Sequence, residues 1–290
     1  MSDLLKPGLR ASERRLRRAA PGFAQGAFLQ AQARAELLRR LEPMQLKPAK
    51  VLDLGGGPGL GARALAQRYR QSSIVLVDSS EAMLASAVRA RGWWRRFECV
   101  RADATALPFA DASVDLVVAG FLLPFLTTPA ALFAEVRRVL QPRGYFAFTT
   151  VGAVTLRELR HAFASVDNQS HVNEFPDFLD IGDALTSAGF VAPVLDADRL
   201  TVTYESLADV CRDLRAAGAS PPTHGRSSLT GARRWAAATA AFEAARGADG
   251  RIPVTCELVY GQAWCPDGDA TRATAGGHEV VVPLTRLRRR

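Results

Sequence analysis

At 290 residues with 48% apolar side chains, the chain can bury a full core, which excludes wholesale disorder. Lys and Arg outnumber Asp and Glu by 37 to 29, for a net charge of +8, so an acidic partner is expected: nucleic acid, an acidic carrier protein or an anionic small molecule. Cys99, Cys211, Cys256 and Cys265 have no metal-ligand spacing, no apolar run approaches membrane-spanning length, and the N-terminus lacks an apolar signal core; a reducing cytoplasm, no membrane and no metal are the expectations.

Residues 1–48 read as a basic arm followed by a helix. The arm carries Lys6, Arg10, Arg14, Arg15, Arg17 and Arg18 against Asp3 and Glu13. Phe28, Ala31, Ala35 and Leu38 share one face of a helix predicted over 24–41, which Pro43 and Pro48 end. A main domain is expected over 49–265, and a polar, basic tail over 266–290.

The domain opens with Lys-Val-Leu-Asp-Leu-Gly-Gly-Gly-Pro-Gly-Leu-Gly at 50–61. A short apolar run stops in glycines, and Ala62, Leu65 and Ala66 then recur at helical spacing. That is strand, tight turn and helix, the first half of a βαβ unit. Glycine lets such a turn enter unusual backbone regions and lets a ligand reach the backbone. The turn resembles the Asp-x-Gly-x-Gly-x-Gly loop of class I S-adenosylmethionine-dependent methyltransferases, through Asp53, Gly55, Gly57 and Gly59. The rival is a dinucleotide loop, Gly-x-Gly-x-x-Gly. The frame from Gly55 ends in Leu60, and those from Gly57 and Gly59 end in Ala62 and Ala64, which weakens it.

The second strand, 73–78, ends in Asp78, and 78 − 59 places it 19 positions after Gly59. A carboxylate at about that distance accepts from both hydroxyls of a ribose. Its competing use is to cap the helix predicted over 81–91, although Ser79 or Ser80 could cap as well. Residues 93–100 lead into a third strand, followed by Asp103, placed to accept from an adenine amino group. A fourth strand is predicted over 114–119, a helix over 131–140 and a fifth strand over 145–150. The alternation predicts an α/β fold, a Rossmann-like doubly wound sheet, mostly parallel, with seven strands in all.

The second half continues with helices over 155–167 and 177–188, a strand over 195–204, helices over 206–217 and 232–245, and a last strand over 253–264. The helical block at about 205–250 interrupts the final strand pair, so it is expected to stand off the sheet as a lid. Several stretches here resemble the malonyl-[acyl-carrier-protein] O-methyltransferases of biotin synthesis, the BioC family. They are Phe148-Thr-Thr150, the run 155–163, Asp167, His171 and Phe175, Leu214-Arg-Ala-Ala-Gly-Ala219, Leu229-Thr-Gly231 and Tyr260-Gly-Gln-Ala-Trp264. The chain departs from that family at Phe23, where an early Tyr is usual. It also departs at Gly120, where Asn is usual, and at Pro124-Phe125, where Gln-Trp is usual.

The resemblance implies that the free carboxylate of a malonyl thioester, on acyl-carrier protein or CoA, takes a methyl group from S-adenosylmethionine. It implies a cofactor set of Asp53, Gly55, Gly57, Gly59, Asp78, Ser79, Met83, Asp103, Ala104 and Ala119. A carboxylate is already ionised at neutral pH, so no catalytic base is required, only positioning. A cation should hold the malonyl group, with Arg226, Arg157 and Arg160 as candidates beside Arg212 and Arg215. Methylation of RNA or another small acid, and a methyltransferase-like assembly factor, rank below. No base-stacking aromatic array or catalytic Cys motif is present, and the glycine turn and Asp78 are intact.

Overall fold

The apolar run after Pro48 becomes the centre of a sheet. In the computed structural model, which describes residues 28–91, 97–126, 129–219 and 231–267, strand β1 (Lys50–Leu54) lies between two parallel neighbours. They are β2 (Ser73–Asp78) and β4 (Val114–Gly120). Outside β2 lies β3 (Glu98–Arg101), and outside β4 lies β5 (Leu140–Val151), both parallel. Strand β7 (Ile252–Trp264) then runs antiparallel between β5 and β6 (Val191–Tyr204). The order is β3-β2-β1-β4-β5-β7-β6, the expected seven-stranded, mostly parallel, doubly wound sheet.

Strand alternation divides the core in two. Leu52, Leu54, Val75 and Val77 face one layer, covered by helices α4 (Pro129–Val139) and α6 (Phe178–Ser187). Val51, Ile74 and Leu76 face the other, covered by α1 (Phe28–Arg40), α2 (Leu60–Arg68) and α3 (Glu81–Ala90). Helix α1 is held there by Arg40. Its guanidinium reaches Asp196 of β6 at 2.5 Å and stands 4.2 Å over the ring of Tyr260.

A third core is separate. Leu159 and Phe163 of α5 (Arg157–Ala164), Leu207 and Val210 of α7 (Leu207–Ala216), and Ala238 and Phe242 of α8 (Ala232–Glu243) pack together on Ile252 and Val254. The expected cap at 205–250 therefore includes α5 as well.

Several boundaries differ from expectation, and three of them have a local cause. Strand β5 starts at Leu140, which pairs with Val114; the ladder shifts before Tyr145 pairs with Leu116, and the Gln-Pro-Arg-Gly stretch between is accommodated with Arg143 at φ 62. Strand β6 starts at Val191, with a register shift before Val194. Pro193 has no N–H, and an edge strand tolerates that. Helix α5 begins at Arg157 because the Thr155 hydroxyl donates to Glu257 O and accepts from Glu257 N, pinning the approach to β7. The basic arm, Phe23, residues 93–96, most of the 218–231 loop and the tail beyond 267 lie outside the described residues. Among the described residues no helix is long and apolar enough to cross a membrane.

The joint between β5 and β7 shows how tightly this sheet is packed. Gly261 pairs with Phe148, and a Cβ built on Gly261 would overlap the Phe148 ring. That ring is itself stacked on Phe146 with centroids 5.0 Å apart. Gly261→Ala is therefore expected to cost about 1–3 kcal/mol by overpacking. The loss should appear as an earlier urea midpoint at unchanged slope; an unmoved midpoint would show that the Phe148 layer yields freely.

Candidate functional site

The glycine turn leaves β1 beside the end of β2. Gly55 and Gly56 donate to Val77 O at 2.8 and 3.3 Å, and Gly57 donates to Asp78 Oδ2 at 2.9 Å. Gly57 has φ +54, and a Cβ there would meet nothing within 4 Å. Its open side faces a cleft of about 180 Å³. Gly59 does a different job. It lies outside the cleft lining, and a Cβ there would stand 2.9 Å from Phe97 Cζ and 3.1 Å from Ala87 Cβ. Glycine here lets the start of α2 pack closely on Phe97 and Ala87 of the same core layer.

Asp78 ends β2 almost fully buried. Its Oδ2 accepts from Gly57 N and its Oδ1 from Ser80 N at 2.8 Å. Burial pushes this carboxyl up, and the two N–H groups oppose that. Ser80 caps α3, accepting from Met83 N, so Asp78 is not consumed as the cap and Ser79 is left in the cleft. Asp103 also lines the cleft; its Oδ1 accepts from the Thr105 backbone and hydroxyl at 2.9 and 2.8 Å. Gly55, Met83 and Ala104 are in the wall. Ala119 is not: it packs in the first core, and strand alternation gives its neighbours Val118 and Gly120 to the cleft instead.

Asp53 lies beneath the turn. A Cβ on Gly56 or Gly61 would stand 2.6 or 2.7 Å from its Oδ2, so two glycines make room for one carboxylate. Among the described residues Oδ2 has no hydrogen-bond partner, and the pKa is raised to about 7, chiefly by burial, while the Ala62 N–H and Arg34 act the other way.

Sequence reading missed the contribution of α1. Gln30 and Arg34, four residues apart on one helix face, line the cleft. The Arg34 guanidinium makes no hydrogen bond or ion pair among the described residues. Burial lowers its pKa and nearby Asp53 raises it. The missed signal was faint, an Arg set among the small and apolar residues of a helix face.

A second, mostly apolar cavity of about 140 Å³ adjoins the cleft. Gln30, Phe121, Phe125 and Ala217 line both. Phe121, with φ 54, stands at the join. Cys256 is in the second cavity's wall with its thiol pushed up to about 12 by burial, which keeps it protonated and inert.

The expected substrate cations are not gathered here. Arg160 donates to the carbonyls of Asn173, Ala153 and Thr155, a structural clamp on the α5 entry. Arg157 is exposed and pairs with Glu158 at 2.9 Å. Neither lines either of these two cavities, and Arg226 lies outside the described residues.

Asp53 gives the site a pH signature. The native state keeps its proton to about pH 7, whereas an unperturbed Asp loses it near 3.8. Between those values the folded state binds more protons, so this group's stabilisation is lost as pH rises. In cofactor-free melts, Asp53→Asn should gain on wild type as pH goes from 5 to 8. A difference that stays constant with pH would remove Asp53 as the titrating group.

Known proteins share this architecture. A methyltransferase-domain family profile matches residues 52–148. Among solved structures, the YcgJ protein of Bacillus subtilis covers 82% of this chain and all of its own at TM-score 0.60 and 19% identity. A putative methyltransferase of Bacillus halodurans covers 80% of this chain and 98% of its own at TM-score 0.59 and 20% identity. These two establish likeness of fold. Among curated sequences, the malonyl-[acyl-carrier protein] O-methyltransferase of Gallionella capsiferriformans is 40% identical over 271 residues, 91% of this chain and 92% of that one. Its counterpart in Halorhodospira halophila is 43% identical over 266 residues, 91% and 90% of the two chains. With identity of this order sustained across both the sheet and the helical cap, the chain belongs to the malonyl-[acyl-carrier protein] O-methyltransferase family.

Proposed function

We propose that this chain methylates the free carboxylate of a malonyl thioester, on acyl-carrier protein or CoA, in the first steps of biotin synthesis. The observation that carries the reading is the pairing of two adjoining cavities. One is lined by the open face of Gly57, Asp78 and Asp103, and the other is mostly apolar. The first suits S-adenosylmethionine. Gly57 leaves room for a ligand against the backbone, Asp78 retains lone pairs for a ribose diol, and unpaired Arg34 suits a ligand carboxylate. Once bound, S-adenosylmethionine supplies a methyl group made electrophilic by its sulfonium.

The remaining work of the chain is placement. The attacking carboxylate is ionised at neutral pH, so no residue need accept a proton. The Cys256 thiol is held protonated, so it does not compete as a nucleophile. Phe121, Phe125 and Leu126 wall the cleft with apolar surface, which restricts water around the reacting atoms. Holding the reactants in line supplies a large part of the acceleration.

Two sets of measurements test this. Calorimetry with S-adenosylhomocysteine should show Asp78→Ala and Arg34→Ala weakening binding by roughly 1–3 kcal/mol each, through a lost charge-assisted hydrogen bond. Gly57→Val should abolish it by filling the cleft. Normal affinity in folded variants would move the cofactor elsewhere. Labelled S-adenosylmethionine, offered with malonyl-carrier protein, malonyl-CoA, acetyl-CoA and RNA, should label the two malonyl thioesters alone, as a base-labile ester. Equal labelling of RNA or acetyl-CoA would overturn the carboxylate reading.

A further inference from the structure

The cleft residues stand on successive strand ends. In sheet order, Asp103 follows β3, Asp78 ends β2, Gly55 and Gly57 follow β1, Gly120 ends β4, and Thr149 is on β5. With the ribose at Asp78, a cofactor lying along this row brings its sulfur toward β4. Its methyl acceptor must then come from the β5 side.

Thr149 is the polar side chain that β5 presents to the cleft. It is 1% exposed, and its hydroxyl oxygen is buried with no hydrogen-bond partner among the described residues. It pairs across the ladder with Gly120, where a Cβ would lie 3.9 Å from Oγ1. With glycine there, no side chain stands against that side of Oγ1. Two residues along the same strand face, Val151 lines the second cavity. Thr149 thus belongs to the cleft on a strand that runs on to the second cavity, and its carbonyl accepts from the N–H of Phe121, which lines both, at 2.8 Å. Thr150 also has an unpartnered hydroxyl, but it lines neither cavity.

We propose that the Thr149 hydroxyl is the donor that receives the free carboxylate of the acyl substrate in the cleft, with the rest of the acyl thioester in the second cavity. This rests on the methyl-transfer reading above. Among the described residues no Lys or Arg lines the second cavity. A single neutral donor suits a carboxylate that must also attack. It orients one oxygen and leaves the other free, whereas a bidentate guanidinium fork engages both. Thr149 is thus a positioning and selectivity residue: it favours monothioesters of a dicarboxylic acid over acetyl thioesters, which have no second carboxylate to offer.

Thr149→Val keeps the shape and removes the donor. Malonyl-CoA titrated calorimetrically into enzyme saturated with S-adenosylhomocysteine should bind this variant about ten- to a hundredfold more weakly than wild type, the effect of a lost hydrogen bond to a charged group. Affinity for S-adenosylhomocysteine itself should be unchanged. Thr149→Ser should restore most of the malonyl-CoA affinity. In turnover, KM for malonyl-CoA should rise while KM for S-adenosylmethionine holds. Wild-type malonyl-CoA affinity in Thr149→Val overturns the proposal. So does weakened S-adenosylhomocysteine binding with malonyl-CoA unaffected, which assigns the hydroxyl to the cofactor. If wild-type enzyme binds no malonyl-CoA, the substrate reading fails and the proposal fails with it.

Discussion

The carboxylate of Asp78 accepts from Gly57 N–H at 2.9 Å and from Ser80 N–H at 2.8 Å, and the geometry of the site follows from those two bonds. They tie the turn after β1 to the end of β2 and aim the start of α3. A buried carboxylate is costly unless N–H groups surround it, so the turn and the strand end stabilise each other. Gly57 is thereby held in its left-handed conformation with its open side outward, and the cleft exists because of it.

Around that clamp the molecule separates rigidity from access. The parallel half of the sheet, buried on both faces, supplies fixed strand ends. The antiparallel half carries a cap with its own core, built from α5, α7 and α8 on the start of β7. Helix α1 closes the other side, pinned by Arg40 on Asp196 and Tyr260, and delivers Gln30 and Arg34 to the cleft. Ala217, just past α7, reaches the same walls. Cap and N-terminal helix thus meet where the two cavities adjoin.

This arrangement suits a reaction that asks for alignment rather than proton transfer. The titratable groups at the site are engaged or enclosed: Asp78 by two backbone donors, Asp103 by Thr105, Asp53 by two glycines. Among the described residues, Asp53 Oδ2, the Arg34 guanidinium and the Thr149 hydroxyl lack partners at the cleft, and the last two are donors that an anionic ligand can complete. Charge placement across the cleft therefore marks where an anionic group would be held and where a neutral donor would be preferred.

Local pattern was enough to read the strands, the glycine turn, Asp78 at a strand end and the cap between the last two strands. Each depends on residues close in sequence: an apolar run, a break, a helical repeat. The family was legible too, through motifs spread over the second half. The tasks of individual residues were not. Sequence gives no sign that Gly59 also packs against Phe97 and Ala87. Ala119 was read as cleft lining and faces the core, because alternation turned it one way and Gly120 the other. Arg160 was a candidate substrate cation and is spent on three carbonyls, some of them from a segment that only tertiary packing brings near. Arg34 gave only a faint signal, and Thr149 stood in a family stretch with no task attached, since a guanidinium and a hydroxyl without partners among the described residues are defined by what does not face them. Sequence carried what neighbouring residues dictate to one another. The fold alone decided which side chains from distant strands and helices share a cavity, because burial and pairing across a sheet are properties of contacts that chain order does not encode locally.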